Sequence, residues 1–204
     1  MFFTSFVIAL SGALMPGPLL TVTISESPRR GMSAGPFLIF GHGILELALV
    51  LALLFGAAPI LLKEEVFIGI SLAGGCILLW MAYSMIRNLP DLHLQHESKG
   101  NANRNLVTAG ILLSISNPYW LIWWASIGLG YILYSARFGA AGVAAFFLGH
   151  ISADFIWYAL VSYGVVKGQH FFSVQWYQRL IFGCAVFLAA FSVYFFYCGI
   201  DKLG

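Results

Sequence analysis

Six long apolar stretches, at about residues 2–25, 32–58, 66–86, 106–135, 138–166 and 177–200, constrain this chain more than any other feature. Each reaches the roughly 20 residues that a helix needs to cross the hydrocarbon layer of a bilayer. Only one connector is long and hydrophilic, RNLPDLHLQHESKGNANRN at 87–105. The others are short turns such as ESPRRG and SAR, which leave no room for a soluble domain. The expectation is an all-α membrane protein of six transmembrane helices forming one domain over 1–204.

Composition agrees with that class. Charged residues are 9% of the chain and hydrophobic ones 60%, against roughly 25% charged in soluble domains. A net charge of +2 with no basic run gives nucleic acid nothing to bind. Cys76, Cys184 and Cys198 lie in apolar segments without paired spacing, and read as small buried hydrophobes rather than a disulfide frame or zinc site. The opening MFFTSFVIAL lacks the basic start of a cleavable signal peptide, so it reads as part of the mature protein. Basic residues concentrate in cytoplasmic loops. With the N-terminus outside, the inner loops hold Arg29, Arg30, Arg87, Lys99, Arg104, Lys167 and Arg179, and the outer ones only Lys63, Arg137 and Lys202. Both termini are expected outside.

The two halves overlay. At an offset of 108, Gly41, His42 and Glu46 meet Gly149, His150 and Asp154, and Gly75, Cys76 and Ser84 meet Gly183, Cys184 and Ser192. Pro18 corresponds to Pro118 at an offset of 100. Three helices per half is an odd number, so the second half enters the membrane from the opposite side. The expectation is two inverted three-helix repeats, 1–88 and 106–204, joined by a cytoplasmic linker at 89–105. Many secondary transporters share this plan, with a central site built from interrupted helices.

Residues four apart share a helix face, so His42 with Glu46 and His150 with Asp154 each form a polar patch in the middle of an apolar segment. An acid at the bilayer centre costs about 2.5–3.5 kcal/mol on insertion scales. Such groups face the bundle interior and pair with one another or with a ligand. A static polar clasp between helices 2 and 5 is the structural alternative. Helix 1 carries a second signal, ALMPGPLLTVTIS. Pro16 and Pro18 lack amide hydrogens and flank Gly17, so the helix breaks there. Irregular backbone at that depth is tolerated where it lines a cavity or is buried in protein. The half-helix starting near Pro18 would offer amide N–H groups to an anion. Helix 4 repeats the device in SISNPYW, where Ser114, Ser116 and Asn117 stand beside Pro118.

Together these residues fit a zwitterion such as an amino acid, its carboxylate on the helix ends and its ammonium on an acid, with the histidines suited to proton exchange. The same two imidazoles and two carboxylates also suit a divalent transition metal. Asp91, His93, His96 and Glu97 in the long connector read as an ordinary solvated segment. Trp120, Trp123 and Trp124, and Trp176 with Tyr177, read as interfacial belt or packing residues. GMSAG at 31–35 has the small-xxx-small form of a close helix contact, which would also serve a homodimer. Glu26, Arg29 and Arg30 mark a cytoplasmic turn. No nucleophile–base constellation, phosphate-cradling loop or cofactor motif appears, so no enzyme and no cofactor is expected.

These motifs carry a family likeness. MPGP in helix 1, then GMSAGPFLIFGHG, three helices, a polar loop and a second half opening with SNPYW resemble the lysine exporter (LysE/RhtB-type) superfamily. Its most specific residues here are Pro16, Gly17, Pro18, Gly31, Gly35, Gly41, Asn117 and Pro118. The resemblance implies a six-helix inner-membrane exporter of amino acids or their analogues, driven by an ion gradient. Many members carry apolar or small residues where this chain has its His–acid pairs, and relatives in the broader superfamily handle cations. A divalent-metal exporter therefore stays open as an alternative, as does a non-transporting dimeric scaffold.

Overall fold

The computed structural model describes residues 1–87, 89, 102–168 and 174–202, and no strand occurs among them. Ten helices follow in order: α1 (Phe2–Ala13), α2 (Pro18–Arg30), α3 (Ala34–Ala52), α4 (Ala58–Leu61), α5 (Glu64–Arg87), α6 (Ala102–Ile115), α7 (Pro118–Trp123), α8 (Leu129–Ala136), α9 (Gly139–Gly168) and α10 (Val174–Asp201). Wide helical turns at Leu53–Ala57 and Trp124–Gly128 join α3 to α4 and α7 to α8. Among the described residues four spans are long and apolar enough to cross a membrane unaided: Ala34–Ile60, Glu64–Arg87, Gly139–Gly168 and Gln175–Asp201. The count reaches six when each of two bent pairs is taken as one span.

Both bends fall on the expected prolines. Between α1 and α2 the chain turns by 81°. Gly17 is fully extended there (φ −150°, ψ −173°) and Pro18 opens α2, a position whose amide has no helical partner in any case. Between Asn105–Ile115 and Tyr119–Ala136 the bend is 64°. Asn117 precedes it in extended conformation, and its side-chain oxygen accepts a hydrogen bond from Tyr119 N at 3.1 Å. That Asn does for α7 what no side chain does for α2.

Small residues let the central helices approach closely. A Cβ on Gly41 would run into the Val107 carbonyl, and one on Gly110 into the Leu38 carbonyl, which locks α3 to α6. On the other side a Cβ on Gly149 would run into the Phe2 carbonyl, while Ser5 Oγ donates to Phe146 O at 2.6 Å, which locks α1 to α9. The two sets share one register: Phe2 and Ser5 precede Val107 and Gly110 by 105 residues, as Leu38 and Gly41 precede Phe146 and Gly149 by 108. The α5–α10 pair packs alongside, where Ser192 Oγ donates to Gly75 O at 2.7 Å. At its solvent end Lys202 Nζ donates to Glu64 Oε1 at 2.7 Å, and that carboxylate raises the Lys202 pKa above its ordinary value.

Some expectations change. Cys76 is exposed, and Cys184 and Cys198 are half-buried. An apolar helix face turned to lipid has the same composition as one turned to the core, so hydrophobicity alone does not place a cysteine. Of the two glycines of GMSAG, Gly35 makes a close contact, against the Tyr158 carbonyl and Ser162. Gly31 instead ends α2 in the left-handed region at φ 81° with open space around it. Tyr177 is buried and donates its hydroxyl to Ser25 O at 3.0 Å, whereas Trp176 is exposed with Arg179 over its ring. Arg30 pairs with Glu26. Asp91, His93, His96 and Glu97 lie outside the described residues, with the rest of the 90–101 stretch of the linker.

Candidate functional site

α3 and α9 cross at the centre of the bundle, and each turns its His–acid face inward because the opposite face is apolar. His42, Glu46, His150 and Asp154 are all buried, at 6%, 1%, 4% and 5% exposure. One ligand atom from each lies within 4.8 Å of the other three. Glu46 is the hub. Its carboxylate stands 3.0 Å from His42 Nε2 and 3.1 Å from His150 Nε2. Asp154 Oδ2 is more loosely held, 3.5 Å from His150 Nε2 and 3.9 Å from His42 Nε2. It is buried and makes no hydrogen bond.

Two further donors converge on Glu46. Trp124 Nε1 donates to its Oε1 at 2.9 Å and Trp120 Nε1 at 3.1 Å. Belt or packing roles for these two indoles are thus corrected: both contribute N–H groups to a buried carboxylate. An indole N–H can only donate, so Oε1 is an acceptor. Hydrogen bonds to charged groups are worth about 1.5–3 kcal/mol each. Their four-residue spacing, which places both on one face of the broken helix, was the available signal. Trp123 faces α1 instead, donating to Ser11 Oγ at 3.2 Å, and its ring leans on His150 at 4.9 Å between centroids.

The hydrogen-bond partners of His42 favour hydrogen on both of its ring nitrogens. Ser114 Oγ donates its single hydrogen to Gly110 O at 2.6 Å. It can therefore only accept from His42 Nδ1, 2.7 Å away. With hydrogen on Nδ1 toward Ser114, Nε2 lies 3.0 Å from Glu46 Oε1, a carboxylate oxygen that accepts, so it donates there too. His42 carries hydrogen on both ring nitrogens in this arrangement. His150 differs: Nε2 faces the carboxylates while Nδ1 is buried without a partner.

A cavity of about 60 Å³ opens beside the quartet. That is room for a few waters at roughly 10–15 Å³ each by this measure, or for a small polar solute. Of the expected residues, His42, Glu46, His150, Asp154, Pro16, Gly17, Ser114 and Asn117 border it, as do Ala9, Tyr158 and Trp120. Pro18 is buried at the start of α2, and Pro118 opens α7. The two breaks and the two His–acid faces therefore meet at one chamber. Its floor is acidic, and one wall is the helix start at Gly17–Pro18, where no side chain caps the free amides. Helix starts carry partial positive charge. The quartet is also a set of donors that suits one divalent cation in chemistry and spacing.

Long apolar spans, two of them broken, around a buried and charged chamber define a multi-pass membrane protein of the transporter class. The LysE type translocator family matches over residues 10–199, and the chain belongs to that family. A relative, the Chemotactic transduction protein ChpE of Pseudomonas aeruginosa, is 30% identical over 169 residues, which cover 80% of this chain and 83% of that protein. No solved structure matches the chain. Membership makes the protein a membrane translocator with a small-molecule substrate, embedded in a lipid bilayer.

Proposed function

We propose that this translocator exports an amino acid or similar small zwitterion across the inner (plasma) membrane, coupled to inward flow of an ion, the proton being favoured. One observation carries the reading: Asp154 Oδ2 is a buried acceptor with no hydrogen bond, in the same chamber as the uncapped start of α2. An ammonium group fits the first and a carboxylate the second. Water reaching neither end would leave both unsatisfied, at a cost of about 1–3 kcal/mol for each buried polar group. The His–carboxylate network gives a coupling proton somewhere to reside, since imidazoles exchange protons near neutral pH. The matched packing of α1–α9 and α3–α6 supports two inverted repeats, 1–88 and 106–204, and the Lys/Arg excess in the inner loops supports both termini outside. Cysteines introduced at 95–100 should then react only from the inner face.

The test is counterflow in proteoliposomes across a panel of amino acids, with Glu46→Gln and Asp154→Asn measured separately. Loss of exchange in both variants supports the reading, and full exchange in both removes the carboxylates from the mechanism. A second reading has its own support: four donor atoms within 4.8 Å suit a divalent transition-metal cation as the exported solute. Thermal stabilisation of the purified protein by Zn²⁺ or Mn²⁺, lost in His42→Ala and absent with amino acids, would favour that cargo.

A further inference from the structure

The shared register that pairs Phe2 with Val107 and Ser5 with Gly110 pairs, one turn further on, Ala9 with Ser114. In the same register His150 corresponds to His42. Ser114 touches His42, and Ala9 is the residue at the equivalent position toward His150; both border the chamber. Their side chains differ by one oxygen atom. Where that oxygen exists, His42 Nδ1 is bonded at 2.7 Å. Where it does not, His150 Nδ1 is buried and unpartnered.

We propose that this difference gives the two imidazoles separate roles, Ser114 making His42 the fixed member of the quartet and Ala9 leaving His150 the member that turns. Turning His42 would strand a buried Nδ1–H and break two hydrogen bonds, to Ser114 and to Glu46. Turning His150 breaks one hydrogen bond, between its Nε2 and Glu46 Oε1 at 3.2 Å, and gives up the looser 3.5 Å approach to Asp154, while its Nδ1 has no bond to lose. The rest of its surroundings are aromatic faces: Trp123, Trp124 and Phe146 at 4.9, 5.3 and 6.1 Å between centroids. Such contacts lack the directionality of a hydrogen bond. When His150 turns away, Asp154 and one side of Glu46 are free for a solute cation or ammonium, while His42 and the two indoles keep Glu46 in place. Ser114 is thus a positioning residue acting through His42. The proposal rests on the chamber being the solute site, yet its test needs no solute.

That test is nitrogen NMR of the histidine rings in the full-length protein, ¹⁵N-histidine labelled, in detergent micelles. His42→Gln and His150→Gln assign the signals. The expected result is hydrogen on both nitrogens of His42 with sharp lines, and hydrogen on Nε2 alone in His150 with lines broadened by microsecond-to-millisecond exchange. Ser114→Ala should remove the Nδ1 hydrogen of His42, and Ser114→Thr should restore it. Ala9→Ser can donate back to Ser5 O as Ser114 does to Gly110 O, and should give His150 a bonded Nδ1–H and sharpened lines. Identical patterns and dynamics for the two rings would overturn the proposal, as would an Ala9→Ser protein whose His150 signals do not change. If no solute moves in proteoliposomes while these signals behave as described, the transport reading fails and the division between the rings stands.

Discussion

Glu46→Gln removes the centre of the buried network without changing side-chain size. The glutamine oxygen can keep the two indole hydrogen bonds from Trp120 and Trp124. Its amide then faces His150 Nε2, 3.1 Å from the second carboxylate oxygen, so two donors oppose each other. The charge facing His42, now 3.0 Å away, also disappears. Removing one partner of a buried ion pair costs about 3–5 kcal/mol. For chains of roughly 150–250 residues each kcal/mol lowers Tm by about 2–4 °C, so the expected fall is about 6–20 °C. Intrinsic fluorescence on heating in detergent reads it directly, since two of the reporting tryptophans touch the substituted group. A double-mutant cycle sharpens the result. Pairing Glu46→Gln with His42→Gln should show a coupling of about 0.5–3 kcal/mol, the range for residues in one network. A Glu46→Gln protein that melts within about 2 °C of wild type, or a cycle that is strictly additive, would refute the description of Glu46 as the hub.

Other substitutions test neighbouring parts of the argument by the same melting assay. Asp154→Asn should cost no more than about 1 kcal/mol, because its Oδ2 has no hydrogen bond to lose; a loss as large as that of Glu46→Gln would contradict the loose geometry. Trp124→Phe deletes one donor to a buried carboxylate and should cost about 1.5–3 kcal/mol, more than Trp123→Phe, whose indole bonds only a serine hydroxyl. Gly41→Ala and Gly149→Ala each force two backbones apart and should cost about 1–3 kcal/mol by overpacking. Gly183→Ala, whose new Cβ meets nothing, should be neutral or gain up to about 1 kcal/mol from helix propensity. Equal effects at Gly41 and Gly183 would show that the close approaches are not what holds α3 to α6.

The membrane class, the positions of both breaks and the four ionisable residues were legible in the sequence because each is a local or compositional property. Apolar runs report a lipid solvent, Pro16-Gly17-Pro18 and Asn117-Pro118 within such runs mark where the helix restarts, and a four-residue spacing puts His and acid on one face. The prolines did something less visible as well: by bending α1–α2 and α6–α8 they left four unbroken spans where the pattern alone reads six. Trp120 and Trp124 show the next limit. Their spacing was readable, yet a tryptophan in an apolar helix is compatible with a lipid belt, a core or a hydrogen bond to an acid on another helix.

What the sequence by itself determined is therefore which side chains each helix offers and on which face. Only the tertiary structure decided that Glu46 rather than Asp154 holds the centre, that Ser114 reaches His42, and that His150 Nδ1 is buried without a partner. Helix periodicity is set by hydrogen bonds between residues four apart. The rotation and register of one helix against another follow from close contacts such as Gly41 on Val107 and Gly149 on Phe2, over a hundred residues from where they are encoded for α9 and α1. A single oxygen at 114, absent at 9, acquires meaning only once those contacts have brought the helices together.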